Sequence, residues 1–428
     1  MLEKDSSYIW HPYTSLGTEN KNLLVTSAKG VYLYISNGEK IIDAVSSWWV
    51  NLHGHSNAYI NKALTEQAEK LEHVIFAGFT HEPGIQLAER LLAILPGNPQ
   101  RIFYSDNGST AVEAGIKMAF QYWHNQGIEK KKVLALNGAF HGDTFGAMAV
   151  GERGAFNNPF HTLLFESVYC DFPFQNKEEE VLTQFKSLCE DKEIAAFIYE
   201  PLLQGAGGMR MYSTEILEQM LQVAKKNEII CIADEVLTGF GRTGKLFASE
   251  YMKEKPDIIC LSKGLTGGYL PMGVTSCNEK IIRAFSSSEK SKTFFHGHSY
   301  TGNPLCCAVA LASLDLLENP SCQEQRNMIE HMHQGFKAEF SGLASIKEIR
   351  ILGTVLAVEL NTKEESGYFN SLRNFLYDFC LAQGVLLRPL GNVIYVLPPY
   401  IISKSELTTI YTVIKKVIQK IDPETQTF

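Results

Sequence analysis

The stretch EIICIADEV (Glu228–Val236) and, further on, DIICLSKG (Asp257–Gly264) are short apolar runs that each end in charge. A strand that is apolar at nearly every position is buried on both faces, as in a parallel sheet covered by helices. Runs of the same kind precede them: RIFYS (Arg101–Ser105), KVLALN (Lys132–Asn137) and AAFIYEP (Ala195–Pro201). Helical patterns lie between some of them, such as GSTAVEAGIKMAFQYWHNQG (Gly108–Gly127) and STEILEQMLQVAKKN (Ser213–Asn227). This alternation predicts an α/β domain over residues 55–320 with a mostly parallel sheet.

The chain ends read differently. GVYLYISNGEKIIDA (Gly30–Ala44) is a hairpin candidate around SNGE. KEIRILGTVLAVEL (Lys347–Leu360) and GNVIYVLPPYII (Gly391–Ile402) read as strands of a mixed sheet. SKSELTTIYTVIKKVIQKI (Ser403–Ile421) reads as a closing amphipathic helix, with Ser403 as N-cap and Glu406 three residues on. The hairpin has no obvious partner in the middle of the chain. It is therefore expected to pack with the C-terminal part, so that residues 1–54 and 321–428 build a second, smaller α+β domain. The 428 residues are too many for one small core, in keeping with that division.

A net charge of −8 leaves no basic footprint for nucleic acid. No run approaches the ~18 apolar residues of a membrane span, and MLEKDSSYIWHPYTS lacks the apolar core of a signal peptide. Nine scattered cysteines without a CxxC pair read as buried thiols of a reducing compartment, so a cytoplasmic protein is expected. His-Gly-His occurs at His53–His55 and His296–His298, without HExxH or further ligands at fitting spacing, so hydrogen-bonded loop histidines and no metal are expected. GFGRTG (Gly239–Gly244) matches GxGxxG, but the next strand ends in SKG rather than in an acidic residue. It reads as a glycine-rich loop carrying Arg242, not as a dinucleotide site.

Three features at successive strand ends belong together. Asp234 and Glu235 close one apolar strand, and Lys263 closes the next, followed by Gly264, Gly267 and Gly268. In open α/β sheets, ligands bind at the carboxyl ends of strands. A lysine there, among small neighbours, has room to form a Schiff base with pyridoxal phosphate (PLP). That cofactor needs an acid beside its pyridine nitrogen and a cradle for its phosphate. Asp234 suits the first need. DNGSTAVEA (Asp106–Ala114), where Gly108 and Ser109 open a helix after a strand, suits the second. Taken singly, each has an ordinary reading as a surface lysine, a capping aspartate or an N-capping loop.

CIADEVLTGFGRTG with PDIICLSKGLTGGYLP resembles the signature of the class III PLP-dependent aminotransferases. EPLLQGAGGMRM (Glu200–Met211) and HGHSYTGNPL (His296–Leu305) match the family in order, and the resemblance covers almost the whole chain. It implies PLP-dependent transferase fold type I: a large domain with a mostly parallel seven-stranded sheet, a small domain from both chain ends, and a homodimer with active sites at the interface. It implies that Lys263 bonds the cofactor and then moves protons, while Asp234 keeps the pyridine nitrogen protonated. Asn107, Gly108 and Ser109 are expected to hold the phosphate, with Ser299 reaching it from the other subunit in place of the family's usual threonine. Phe140 stands where the family usually has tyrosine. It keeps a face for stacking on the cofactor but has no hydroxyl. Arg388 is expected to bind a substrate carboxylate. Tyr13, Trp48, Gly297 and Tyr395 are expected to line the substrate channel.

Segments outside the generic motifs narrow the resemblance. IWHPYTS (Ile9–Ser15), SSWW (Ser46–Trp49), HGDTFGAM (His141–Met148), QGAGGMRMY (Gln204–Tyr212) and IYVLPPYII (Ile394–Ile402) resemble the biotin-biosynthesis branch. Its members convert 8-amino-7-oxononanoate to 7,8-diaminononanoate, and the implied amino donor is S-adenosylmethionine. Phe140 and KTFFHGHSYTGN (Lys292–Asn303) keep lysine open as an alternative donor. Another ω-amino acid or diamine aminotransferase is the runner-up, and a PLP-binding protein without transaminase activity is the third reading. In SSWW, an extended backbone sends neighbouring side chains to opposite sides. Trp48 is then expected to face the substrate and Trp49 to pack.

Overall fold

The computed structural model describes residues 1–17, 22–364 and 366–421. In chain order the strands are β1 (Val25–Lys29), β2 (Tyr32–Ile35), β3 (Lys40–Asp43), β4 (Arg101–Ser105), β5 (Lys132–Leu136), β6 (Ser167–Cys170), β7 (Ile194–Tyr199) and β8 (Leu203–Gln204). There follow β9 (Arg210–Met211), β10 (Ile230–Asp234), β11 (Ile258–Leu261), β12 (Gly273–Cys277), β13 (Ile346–Leu352), β14 (Val355–Leu360), β15 (Val385–Leu386) and β16 (Val393–Val396). Seven of them form the central sheet, ordered β4-β12-β11-β10-β7-β5-β6. All residues of β7, β10 and β11 are buried, which is why their sequences do not alternate.

Strands β6, β5, β7, β10 and β11 run parallel. Strand β12 is antiparallel to β11 and to β4, so β4 points the same way as the parallel set. The exception has a local cause. Strands β11 and β12 are joined by residues 262–272, with only a single short 3₁₀ turn and no crossover helix, so the chain must double back. That turn (Lys263–Thr266) ends on Gly267, whose φ is +61°. Helix Gly108–His124 lies close over the sheet because Gly115 is bare. A Cβ there would sit 3.0 Å from Cys260 Sγ.

The N-terminal hairpin pairs with a C-terminal strand as expected, but the strands Ile346–Leu352, Val355–Leu360 and Val393–Val396 do not form the expected mixed sheet: the first two join by a direct reversal, and all the pairings among the three are antiparallel. Strands β2 and β3 form the antiparallel hairpin, with Gly38 at φ +91° in the turn, and β15 adds in parallel beside β3. Strands β13, β14 and β16 form an antiparallel sheet. Helix Lys404–Lys420 begins with the expected capping box: Glu406 N–H donates to Ser403 Oγ (3.2 Å), and Ser403 N–H donates to Glu406 Oε2 (2.8 Å). All nine cysteines are buried and free. Among the described residues no single helix is long and apolar enough to cross a membrane.

SSWW is not extended. Ser46, Ser47, Trp48 and Trp49 have φ of 51°, 46°, 69° and 75°, a left-handed turn. L-residues in that region cost about 1–2 kcal/mol each, so tertiary bonds must hold them. Asp43 accepts from Ser47 N (2.9 Å) and Ser47 Oγ (2.7 Å), and Ser46 Oγ donates to Leu397 O (2.7 Å).

GFGRTG opens no helix, in agreement with its reading as a loop. Its arginine is the tie between chain ends. Arg242 is 1% exposed and donates to Pro398 O (2.8 Å), Trp49 O (3.3 Å) and Asn51 O (3.4 Å). Its guanidinium lies 5.0 Å from the Tyr400 ring centre. Burial holds its pKa below the usual arginine value. Arg242→Ala leaves three buried carbonyls without a donor. It is expected to cost about 3 kcal/mol, read as a lowered denaturation midpoint; a loss under about 1 kcal/mol would refute this role.

Candidate active site

Five parallel strands end at the same edge of the sheet, and each supplies part of one cavity of about 640 Å³. After β4 come Asn107, Gly108 and Ser109; after β5, Phe140 and His141; after β7, Glu200. Asp234 ends β10, and Lys263 follows β11. From the chain ends come Tyr13, Trp48, Trp49, Arg388 and Tyr395. Ten of the twelve residues singled out in the sequence thus line one space. Gly297 and Ser299 do not line it within their own chain.

Lys263 sits at φ +43°, a strained conformation for a residue with a side chain. Its Nζ lies 4.8 Å from the Trp49 ring centre. Burial holds its amine below the usual lysine value, while the carboxylates of Asp234 and Glu200 pull it back up. A lysine so balanced can lose its proton more easily than one in water.

Asp234 is 4% exposed and is held on both oxygens: Val236 N–H donates to Oδ1 (3.1 Å), and His141 Nδ1 donates to Oδ2 (2.7 Å). Helix Gly108–His124 starts with a capping box in which Asn107 Oδ1 accepts from Thr110 N (3.0 Å). The other first-turn N–H groups have no acceptor within the helix and face the cavity end. Gly108 must be bare, since a Cβ would sit 2.9 Å from Val236 Cγ1. Ser109 Oγ accepts from Asp143 N (3.2 Å), leaving its own proton free for a ligand.

At the other side, the Arg388 guanidinium lies 4.3 Å from the Trp48 ring centre, and Tyr13 packs on the same ring with centroids 5.6 Å apart. The Tyr13 hydroxyl donates to Asp143, and burial raises the Tyr13 pKa. Trp49 Nε1 donates to the buried Tyr395 hydroxyl (3.1 Å). Trp49 is therefore not packing alone, as the sequence suggested: its ring also lies beside the Lys263 amine. Trp49→Ala is expected to cost about 3–5 kcal/mol of stability and to shift the visible spectrum of the holoenzyme. Trp48→Ala, at a ring 38% exposed, is expected to spare stability and to raise the substrate KM about tenfold. The reverse ranking in thermal and kinetic measurements would overturn this division.

The paired histidines have ordinary partners. His53 Nε2 meets Ser313 Oγ (3.1 Å), His55 Nε2 meets Asp43 Oδ2 (2.9 Å), and His296 Nδ1 meets Lys117 Nζ (3.1 Å).

Residues 13–418 match the family model Aminotransferase class-III. A Synechococcus elongatus protein named adenosylmethionine-8-amino-7-oxononanoate aminotransferase is 44% identical over 97% of this chain and 99% of its own. A Helicobacter pylori protein of the same name is 40% identical over 94% of each chain. The crystal structure of the Methanocaldococcus jannaschii protein of that name superposes with a TM-score of 0.91 at 38% identity, covering 97% of this chain and 98% of that one. A PLP-bound amine transaminase from an uncultivated Pseudomonas species gives a TM-score of 0.91 at 29% identity, covering 96% of this chain and 98% of that one.

The chain belongs to the class III aminotransferases. It is a transaminase of PLP fold type I, and its cofactor is PLP. The residues present fit that cofactor. His141 Nε2 is buried with no hydrogen-bond partner among the described residues, while its Nδ1 orients the Asp234 carboxylate. Gly108 leaves space where any side chain would collide. Lys263, Asp234 and an open helix start are the amine, anion and N–H donors that a phosphorylated pyridine aldehyde requires.

Two residues at the site carried no role in the sequence reading, although the quoted motifs contain them. His141 is the first. Glu200 is the second: its Oε1 accepts from Phe140 N (3.1 Å) and its Oε2 from Gly205 N (2.9 Å). Burial, reinforced by Asp234, pushes the Glu200 pKa up to about 7, against the pull of His141 and its two N–H donors. The sequence signal for Glu200 was the one available for Asp234, a carboxylate ending an apolar strand.

Proposed function

We propose that this protein transfers an amino group to 8-amino-7-oxononanoate, forming 7,8-diaminononanoate for biotin synthesis, with S-adenosylmethionine as donor. The observation that carries this reading is the Arg388 guanidinium stacked on Trp48 in the cavity that also holds the Lys263 amine. An arginine seated on an aromatic wall suits a long aliphatic acid: the fork takes the carboxylate and the rings take the chain. The names of relatives up to 44% identical over nearly full length support it.

PLP, when bound, supplies an electron sink for bonds at the amine-bearing carbon. The chain's own residues divide the remaining work. Asp234 keeps a proton on the pyridine nitrogen, and His141 holds that carboxylate in place. Lys263 Nζ, its basicity lowered by burial, would take up and return a proton when the cofactor is bound. Asn107, Gly108 and Ser109 anchor the phosphate, and Phe140 covers the ring. Tyr13, Trp48 and Tyr395 keep the chain of the substrate out of water, and Arg388 fixes its far end.

Gly297 and Ser299 serve the site of a second copy in this reading. Support comes from their absence from their own cavity and from exposed apolar neighbours: Phe295 is 75% and Tyr300 65% exposed. The dimer, a cytoplasmic location and the domain division 1–54, 55–320 and 321–428 belong to the same proposal.

Lysine as donor is the alternative that Phe140 keeps open, because its ring has no hydroxyl to offer a donor. A product assay with 8-amino-7-oxononanoate as acceptor, run with each donor, decides. Diaminononanoate with S-adenosylmethionine supports the proposal. Product with lysine alone overturns the donor, and none with either overturns the acceptor.

A further inference from the structure

Two aromatic rings that line the cavity, Phe156 and Tyr368, and a third that packs on them, Phe369, have no part in the chemistry above. Phe156 lies in the loop before the 3₁₀ turn Asn158–Leu163, and Tyr368 and Phe369 lie between β14 and β15. The rings meet across the gap between these two distant segments. Phe156 and Phe369 stack with centroids 5.2 Å apart, and Phe156 meets Tyr368 edge-on at 4.8 Å. Phe156 and Tyr368 both line the cavity that holds Lys263 and Arg388.

Burial does not account for the cluster, because Phe156 is 53% and Phe369 70% exposed. Yet both supports are built to hold the rings still. Asn157, beside Phe156, is 6% exposed; its Oδ1 accepts from Gly154 N (3.0 Å) and its Nδ2 donates to Glu152 O (2.7 Å). Arg373 donates to the Tyr368 hydroxyl (2.9 Å) and stacks on its ring at 4.4 Å. Tyr368 is also near enough to Tyr13 and Tyr395 to influence both phenols. Phe156 and Tyr368, partly exposed, tied in place by these bonds and lining the substrate cavity, are arranged to be covered by a ligand.

We propose that Phe156, Tyr368 and Phe369 form an aromatic clasp that selects substrates by the length of their aliphatic chain. Phe156 and Tyr368 contact the methylenes of a chain whose carboxylate sits on Arg388, and Phe369 positions Phe156 by stacking. The substrate class, a long-chain carboxylic acid, rests on the reading under Proposed function.

The test uses the holoenzyme and straight-chain monocarboxylates from butanoate to nonanoate, with dissociation constants read from tryptophan fluorescence. In the native protein each added methylene that reaches the clasp should tighten binding about fourfold. In Phe156→Ala that increment should fall below about twofold, and in Phe369→Ala it should fall part-way. Phe369 is mostly exposed, so its variant should keep the native thermal midpoint. No chain-length increment in the native protein, or an increment unchanged in Phe156→Ala, overturns the clasp. So does a Phe369→Ala variant that changes only subunit association, which marks this face as a protein contact. Failure of the acceptor reading looks different: the increments persist, but 8-amino-7-oxononanoate is not turned over.

Discussion

Lys263→Ala is expected to lower turnover by at least about a thousandfold and to remove the visible band of lysine-bonded cofactor. Both effects follow from one atom. In the proposed mechanism Nζ both bonds the cofactor and carries the transferred proton, so alanine would remove two functions together. Unfolding should not contribute. The Lys263 side chain lines the cavity rather than the packed core, so shortening it opens no void among core side chains. Compared without cofactor on either side, the thermal midpoint of Lys263→Ala should therefore stay close to that of the native protein. Borohydride treatment followed by peptide mass mapping is the direct check. Cofactor fixed to the native chain at Lys263 and absent from the variant is the expected result. Label elsewhere, or a visible band that survives the substitution, refutes the assignment.

Asp234→Asn is expected to cost about 10²–10³ in kcat while leaving the fold intact. Asparagine keeps an oxygen for the Val236 N–H that Asp234 Oδ1 now accepts at 3.1 Å. What it loses is the negative charge that, in the proposed mechanism, would keep the pyridine nitrogen protonated. The contact with His141, now 2.7 Å, should also weaken, because Nδ1 then faces a neutral amide. The visible band should shift and cofactor affinity should fall. A variant with native kcat and spectrum shows that another group protonates the ring. A variant that fails to fold leaves Asp234→Glu to be measured, in which the charge persists and part of the rate should return.

The parts of this site that the sequence discloses share a property: each sits at the end of a run whose pattern is local. Asp234 and Lys263 stand out because charge follows unbroken apolar residues, and burial on both faces of a parallel strand forbids charge earlier. Gly108 and Ser109 stand out because a helix must begin there. Parallel strands joined by helices all finish at one edge, so these local signals converge without further information. The capping box at Ser403 and the hairpin at Gly38 were legible for the same reason, since their bonds join residues three or four apart.

What the sequence could not disclose depends on partners far along the chain. His141 reads as a loop histidine until Asp234 is placed 2.7 Å from it. The Glu200 carboxyl becomes a weaker acid only when β7 brings it beside Asp234 under full burial. Arg242 looks like a glycine-loop charge, yet its partners are carbonyls of Trp49, Asn51 and Pro398. SSWW was expected to be extended; bonds to Asp43, Leu397 and Arg242, all distant from it or outside its pattern, hold it in a left-handed turn that brings Trp48 to Arg388 and Trp49 to Lys263.

The sequence by itself determined where charge ends the apolar strands, the candidates for the cofactor's amine and acid partner, and the class of the sheet, because burial and periodicity act over neighbouring residues. Only the tertiary structure decided which groups touch, how far Lys263 and Glu200 are displaced from their ordinary acidities, and how Phe156 meets Tyr368 and Phe369. Those outcomes depend on distance and desolvation, which no local pattern encodes.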